Sequence, residues 1–218
     1  MSDNLLAPVR LADAMEAIAS RQSLIKFRPD RPSAAAIRAL LEAAVRAPNH
    51  HTNEPWRFIV LAGAARERLG DAFAVCARSH LTLEPGATAD AVIAAERAKA
   101  LRSPVVIVVA CVRNEHPKAM PIEDVEATAA AVENLLIAAH AMGLGAAWRT
   151  GTPAYDHHVK RHLGLRPDDD IVAFVYVGHP ATPPPPLKAR GPIESVTRWD
   201  GWDDDATAPV DPIPTRGL

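Results

Sequence analysis

Cysteine is scarce in this sequence: Cys76 and Cys111 are the only two in 218 residues, and 35 positions separate them. That spacing excludes a CxxC redox pair and leaves nothing for a disulfide framework, which fits a reducing compartment. Excess charge is missing as well. Lys and Arg number 24 against 26 Asp and Glu, for a net charge of -2. No global positive field therefore exists to draw in nucleic acid or anionic lipid, and any bound anion has to be held locally. The longest wholly apolar run, Val105 to Val112, is eight residues long, where a membrane-spanning helix needs about 20. The opening stretch, MSDNLLAPVRLADAME, carries an Asp where a secretory signal is basic and lacks the apolar run that follows one. A cytoplasmic protein that binds neither nucleic acid nor membrane is expected. Familiar catalytic signatures are absent too, with no GxSxG, GxxxxGK(S/T) or HExxH. A chain without them can borrow its chemistry from a cofactor.

What is present is a globular composition, 48% hydrophobic and 23% charged, which argues against disorder over most of the chain. The length suits one large domain, or one domain with an appendage. Leu11 to Ala19 has helical spacing. Ser33 is placed to cap a second helix, whose Ile37, Leu40, Leu41 and Ala44 share a face until Pro48 ends it. Trp56 to Leu61 reads as a buried strand, followed by helical patterning over 64–78 and 88–100. Val105 to Val112 is mostly β-branched, the mark of a central strand covered on both faces. From Ile122 to Met142, the residues Val125, Ala129, Val132, Leu135, Leu136, Ala139 and Met142 recur every three or four positions among many alanines. The pattern predicts a helix apolar nearly all round, lying inside something larger than one subunit and stopped by Gly143 and Gly145. Gly143-x-Gly145 follows a helix and precedes a strand, the reverse of a dinucleotide fingerprint. An extended 146–150, a short helix over 156–163 and a buried strand over 171–177 complete the pattern.

Beyond Gly178 the periodicity disappears, and nine of the 20 prolines lie there, at 180, 183 to 186, 192, 209, 212 and 214. The expected division is a domain over residues 1–180 and a Pro-rich tail over 181–218. At about 3.3 Å per extended residue, such a tail could reach across a neighbouring subunit, and a frayed end is the plain alternative. Ile193 to Trp199 (IESVTRW) is the piece best suited to dock. The tetraproline at 183–186 reads as a stiff polyproline spacer.

Three polar segments stand out. Arg21-Gln22-Ser23 follows the first helix, where an Arg and a hydroxyl can fork onto one phosphate, although the macrodipole alone favours an Arg at a helix C-terminus. Arg46 to Trp56 (RAPNHHTNEPW) is either a turn or one of the rigid polar loops on which binding residues concentrate. Trp148-Arg149-Thr150-Gly151 presents a cation, a hydroxyl and a glycine amide at a strand end; a structural reading instead stacks Arg149 on Trp148, worth about 1 kcal/mol. His158 and His162 share a helix face, but beside Lys160 and Arg161 and without a third ligand they read as a solvated surface. No metal site is expected. Cys111, in an apolar strand, reads as packing.

Taken in order, the three segments resemble the nitroreductase family of FMN-dependent oxidoreductases, and most closely its short YdjA-like branch. RQSLIKF (21–27) is similar to the family's RRSIRKF, APNHHTNEPWRFIVL (47–61) to the branch's APxHxxxxPWxFxV, and GAAWRTG (145–151) to its GxxWRSG. The resemblance implies an α+β three-layer sandwich, a mixed and mostly antiparallel sheet flanked by helices, working as a homodimer with two flavins at the interface. It implies further that Arg21, Gln22, Ser23, Trp148, Arg149 and Thr150 of one chain hold FMN, with Arg46 and His50 supplied by its partner. Ile25 stands where many larger relatives place a basic residue near the flavin pyrimidine. The implied activity is hydride transfer from NADH or NADPH through flavin N5 to a small electrophile such as a nitroaromatic, a quinone or an enone, with ping-pong kinetics and no side-chain acid or base. Oxygen-dependent or dehydrogenase flavin chemistry on the same fold, and non-catalytic flavin binding, stay open.

Overall fold

A computed structural model of the protein describes residues 11–113 and 116–199, the side chains of 11–13 excepted. The chain divides into two units, Met1–Pro184 and Pro185–Leu218. In chain order the first unit contains α1 (Leu11–Ser20), α2 (Ala34–Ala44), β1 (Trp56–Ala62), α3 (Ala64–His80), α4 (Ala87–Lys99), β2 (Val105–Cys111), α5 (Pro121–Ala141), β3 (Gly145–Arg149), α6 (Thr152–Tyr155), α7 (His157–His162) and β4 (Asp170–Gly178).

The strands pair in the order β1-β2-β4-β3, and each of these pairings is antiparallel. β2 is buried over its whole length, as its β-branched run predicts, and its period of two divides the core. Val105, Ile107 and Val109 pack with α2 and α5 on one face, while Val106 and Val108 pack with α3 and α7 on the other. Three layers result. Ser33 caps α2, its Oγ accepting the Ala36 N–H at 3.1 Å, and Ile37, Leu40 and Ala44 are buried below it. On α5, Ala127, Ala131 and Ala139 alternate with Val132 and Leu135 on the buried face, and the small side chains let helix and sheet approach closely.

Several expectations are corrected. β1 is not a buried strand: as the edge of the sheet it has β2 as its one neighbour, and only Trp56 of its seven residues is buried. Met142 leaves the apolar face of α5 and is 40% exposed, whereas Asp124 and Thr128, which periodicity passed over, are buried there. Gly143, with φ +70°, turns the chain out of α5, while Gly145 belongs to β3. In the second unit, Ile193–Val196 forms a 3-10 turn, with Ser195 Oγ donating to Pro192 O at 2.7 Å. Prolines 209, 212 and 214 lie outside the described residues.

A polar lock ties the end of β2 to the loop before β4. Asp169 accepts from the Arg113 N–H at 3.1 Å and from Arg166 Nη2 at 3.0 Å, while Arg113 Nη2 reaches Asp170 Oδ2 at 2.6 Å. Burial opposes the charge on Asp169, but the Arg166 side chain and the Arg166 and Arg113 N–H groups outweigh it and hold the carboxyl below the usual range.

Candidate functional site

The Arg21 segment is positioned by β3. After the Arg21 N–H closes α1 on Ala17 O at 3.0 Å, the chain extends along the edge of β3 that β4 leaves open. There the Leu24 N–H donates to Ala146 O at 3.0 Å, and just past the end of β4 the Arg28 N–H donates to His179 O at 2.8 Å. A Cβ on Gly145 would stand 3.0 Å from Phe27 Cε1 and 3.3 Å from Leu24 Cβ, so the close approach of this segment favours glycine. Because Leu24 meets Ala146 and Phe27 meets Gly145, the segment runs opposite to β3. Ser23, Gln22 and Arg21 therefore lead toward the Trp148–Arg149 end. Arg21 Nε pairs with Glu133 Oε1 of α5 at 3.1 Å, and Ser20 Oγ meets His140 Nε2 at 2.8 Å. Ser23 and Ile25 are exposed.

Trp148 and Arg149, consecutive in a strand, point to opposite faces. The indole packs on the α2–α5 core, with Nε1 donating to Val172 O at 3.0 Å. Arg149 turns to the other face and lines a cavity of about 480 Å³ with Thr150 and Gly151, walled by Phe73 and Tyr176 and edged by Lys99 and Arg102. The stacking of Arg149 on Trp148 is thereby ruled out. No carboxylate pairs with Arg149 among the described residues. Gly151, at φ +105°, makes the turn from β3 into α6 in a conformation that side-chain-bearing residues rarely adopt. Burial raises the Tyr176 phenol, against the pull of the Arg102 and Arg149 cations.

The 46–56 loop is strained. His51, Thr52 and Glu54 have φ of 53°, 57° and 45°, the left-handed region, where a β-branched residue such as Thr is an outlier. Each such residue costs on the order of 1–3 kcal/mol and persists only where its surroundings over-determine it, which is characteristic of functional sites. Here Asn49 Oδ1 accepts the Glu54 N–H at 3.0 Å and Asn53 Nδ2 donates to buried Asp124 at 3.1 Å. His50 Nδ1 lies 3.5 Å from Glu123, and His51 stacks on His116 with ring centroids 4.8 Å apart. The loop thus rests on the first turn of α5, with Arg46 exposed near it. Glu123 and Glu133 are ten residues apart, about 15 Å along the helix axis. Within one chain Leu24 ties the Arg21–Ser23 segment to β3, whereas His50 sits at Glu123, ten residues along α5 from the Glu133 that pairs with Arg21.

The two cysteines offer no nucleophile at neutral pH. Burial, then the Asp156 carboxylate, pushes the Cys76 thiol up to about 11, and burial raises Cys111. Asp156 itself is resisted by burial but held below the usual range by hydrogen bonds from the Val159 N–H, His80, the His158 N–H and Cys76. Sequence reasoning missed the cavity walls Phe73, Lys99, Arg102 and Tyr176. Their signal was only ordinary helical and strand periodicity, which says nothing about a space left between layers.

A helix-covered antiparallel sheet, with an Arg-x-Ser segment laid along the strand that ends in Trp-Arg-Thr-Gly, defines a nitroreductase-type flavoprotein architecture. A sequence profile described as Nitroreductase family matches residues 18–179, and the chain belongs to that family. It is 32% identical over 172 residues to YdjA of Escherichia coli (strain K12), provisionally named an NAD(P)H nitroreductase, covering 77% of this chain and 88% of that one. It is 30% identical to the similarly named YfhC of Bacillus subtilis (strain 168), covering 81% and 88%. A nitroreductase-like protein from Bacillus cereus superposes with a TM-score of 0.73 at 28% identity, over 88% of this chain and 98% of that one. A provisionally named nitroreductase from Desulfovibrio desulfuricans, solved with FMN bound, has a TM-score of 0.60 at 26% identity, over 83% and 92%. No helix among the described residues is long and apolar enough to cross a membrane.

Proposed function

We propose that the protein is an FMN-dependent NAD(P)H oxidoreductase, working as a homodimer and reducing small electrophiles such as nitroaromatics, quinones or enones. The names of YdjA and YfhC and the FMN in the Desulfovibrio structure support this reading. The observation that carries it is Arg149: among the described residues no carboxylate pairs with it, and it lines a cavity at the end of β3, the strand to which Leu24, just after the Arg-x-Ser segment, is bonded.

FMN demands cations and hydroxyls for its phosphate and a broad, partly apolar slot for its ring, and the donor set fits. Arg149, Thr150 and Ser23 offer donors with no side-chain partner among the described residues, and Arg21 keeps its Nη groups beyond the Nε contact to Glu133. Gln22 lies between Arg21 and Ser23. The cavity, walled by Phe73 and Tyr176, falls within the usual ligand range of about 300–1,000 Å³. Trp148 acts as a positioning residue, since its bond to Val172 O fixes the strand so that Arg149 faces the cavity. His50 would come from the second chain, because its contact at Glu123 sits about 15 Å along α5 from the Glu133 that holds Arg21, and Arg46, which the resemblance groups with it, would come from there too. The Pro-rich tail, 181–218, would reach toward that same partner.

When bound, FMN would supply the two-electron hydride chemistry that links NADH or NADPH to the acceptor. The chain's own part is electrostatic: Arg149, with Arg102 at the rim, would favour the extra negative charge of a reduced flavin, while Lys99 is already paired with Glu96. No side-chain acid or base is required, and ping-pong kinetics are expected. Anaerobic addition of NADH or NADPH to the yellow protein tests the proposal. Bleaching of the flavin visible band is the expected result. A yellow protein inert to both nucleotides overturns the reductase reading, and a protein that takes up no FMN overturns the cofactor.

A further inference from the structure

We propose that Cys76, His80 and Asp156 form a three-ligand site for a zinc-type divalent transition metal, with a fourth position facing the cavity. Cys76 and His80 are i and i+4 on α3 and so project from one face. Asp156 arrives from the far side of the chain as the N-cap of α7, 76 positions after His80. The thiol, imidazole and carboxylate donors all lie within 4.8 Å of one another, and His80 Nε2 is 3.3 Å from Asp156 Oδ2. Zinc bonds of about 2.0–2.3 Å in a tetrahedron put donors roughly 3.3–3.8 Å apart, so His80 and Asp156 already stand at ligand separation. The remaining closure, about 1 Å, falls within reach of a His80 side chain that is 56% exposed.

The surroundings have the features of a built site. Asp156 divides its carboxylate: Oδ1 accepts the Val159 N–H at 3.0 Å and is fixed by it, while Oδ2 faces His80. Outer contacts of that kind orient metal ligands. A helix cap paired to a histidine needs no cysteine, yet Cys76, 1% exposed, also directs its thiol to Asp156. One sulfur, one nitrogen and one oxygen donor suit zinc and disfavour magnesium or calcium, which take oxygen throughout. On binding, the Zn–S bond forms as the thiol proton passes to solvent, and thiolate plus carboxylate balance the ion's charge. Cys76 and His80 also line the cavity that holds Arg149, so the open position faces that space and takes water or a ligand oxygen. Sequence spacing had pointed at His158 and His162 and gone no further, because the third ligand here belongs to a distant element.

The test is calorimetric titration of zinc chloride into FMN-loaded protein after EDTA treatment and desalting, with FMN content and a melting curve in EDTA read on each sample. One equivalent per chain is expected. Loss of an outer partner alone weakens metal sites about 10- to 100-fold, so Cys76→Ser, His80→Ala and Asp156→Asn should each weaken zinc by at least about 10-fold. Asp156→Asn keeps a side-chain oxygen for the Val159 N–H and so the cap, while Cys76→Ser, nearly isosteric, and His80→Ala, at an exposed side chain, are the other variants that keep the test decisive. Absence of saturable binding by the folded parent overturns the site. So does zinc binding that survives both Cys76→Ser and His80→Ala, since the ion then sits elsewhere.

Discussion

The two faces of this sheet are built from alternate residues of the same strands, and they differ in what they leave open. Toward α2 and α5, Leu40, Val132 and Leu135 are wholly buried among alanines in a continuous core. Toward α3 and α4, Phe73, Phe174 and Tyr176 are also buried, but they wall a cavity of about 480 Å³ edged by Lys99, Arg102 and Arg149. The bond between β3 residues 148 and 149 crosses from one regime to the other. Trp148 hydrogen-bonds into the solid side and Arg149 lines the hollow one. A strand's period of two is therefore enough to give neighbouring residues of one motif unlike tasks.

The contrast can be broken by substitution, most forcefully in the solid layer. Leu135→Ala should cost about 2–5 kcal/mol, read from the urea midpoint at constant slope; a cost under about 1 kcal/mol would mean this face is not tightly packed. Next comes Arg149→Ala. Loss of a charge-assisted hydrogen bond, about 1.5–3 kcal/mol, weakens FMN roughly 10- to 100-fold, while stability of the flavin-free protein moves by no more than about 0.5 kcal/mol. Trp148→Phe should tilt the other way, losing about 1 kcal/mol of stability with the Val172 bond and weakening FMN less than Arg149→Ala does. If these neighbours exchange their effects, the division of labour between the faces is wrong.

The smallest effect concerns acid. Asp169 has its folded-state pKa lowered, so its contribution is present above the unfolded value of about 3.9 and is lost as pH falls through that value toward the folded one. Stability of the native protein should therefore drop over this acidic window in urea titrations. In Asp169→Asn the drop should be shallower, from a lower starting stability; identical slopes would show that the lock does not sense the proton.

Much of this architecture was legible beforehand. Ser33 before Ile37 and Leu40, and the β-branched run at 105–111, announce their elements because burial and capping act on nearest neighbours in the chain. The edge position of β1 was not legible, since WRFIVL reads alike in the middle of a sheet or at its side and only strand order decides. The Arg-x-Ser and Trp-Arg-Thr segments were visible as motifs, but the opposed directions of Trp148 and Arg149 follow only once residues 145–149 are known to be a strand. Nothing in His51, Thr52 or Glu54 signals a positive φ. Their conformation is imposed by Asn49, Asp124 and His116, contacts that no local pattern encodes. The meeting of Cys76 and His80 with Asp156 is a product of helix packing in the same sense.

The claim that two chains complete each flavin site is most directly tested by mixing two defective proteins. Arg149→Ala and Arg46→Ala dimers should each bind FMN weakly. Refolded together in equal amounts, half of the pairs are hybrids, and in each hybrid one of two symmetric sites has both arginines intact, so about one quarter of the sites should bind like the parent. Recovery of that tight fraction by flavin titration is the result expected. No recovery, with hybrid dimers demonstrably present, would contradict a site shared between subunits.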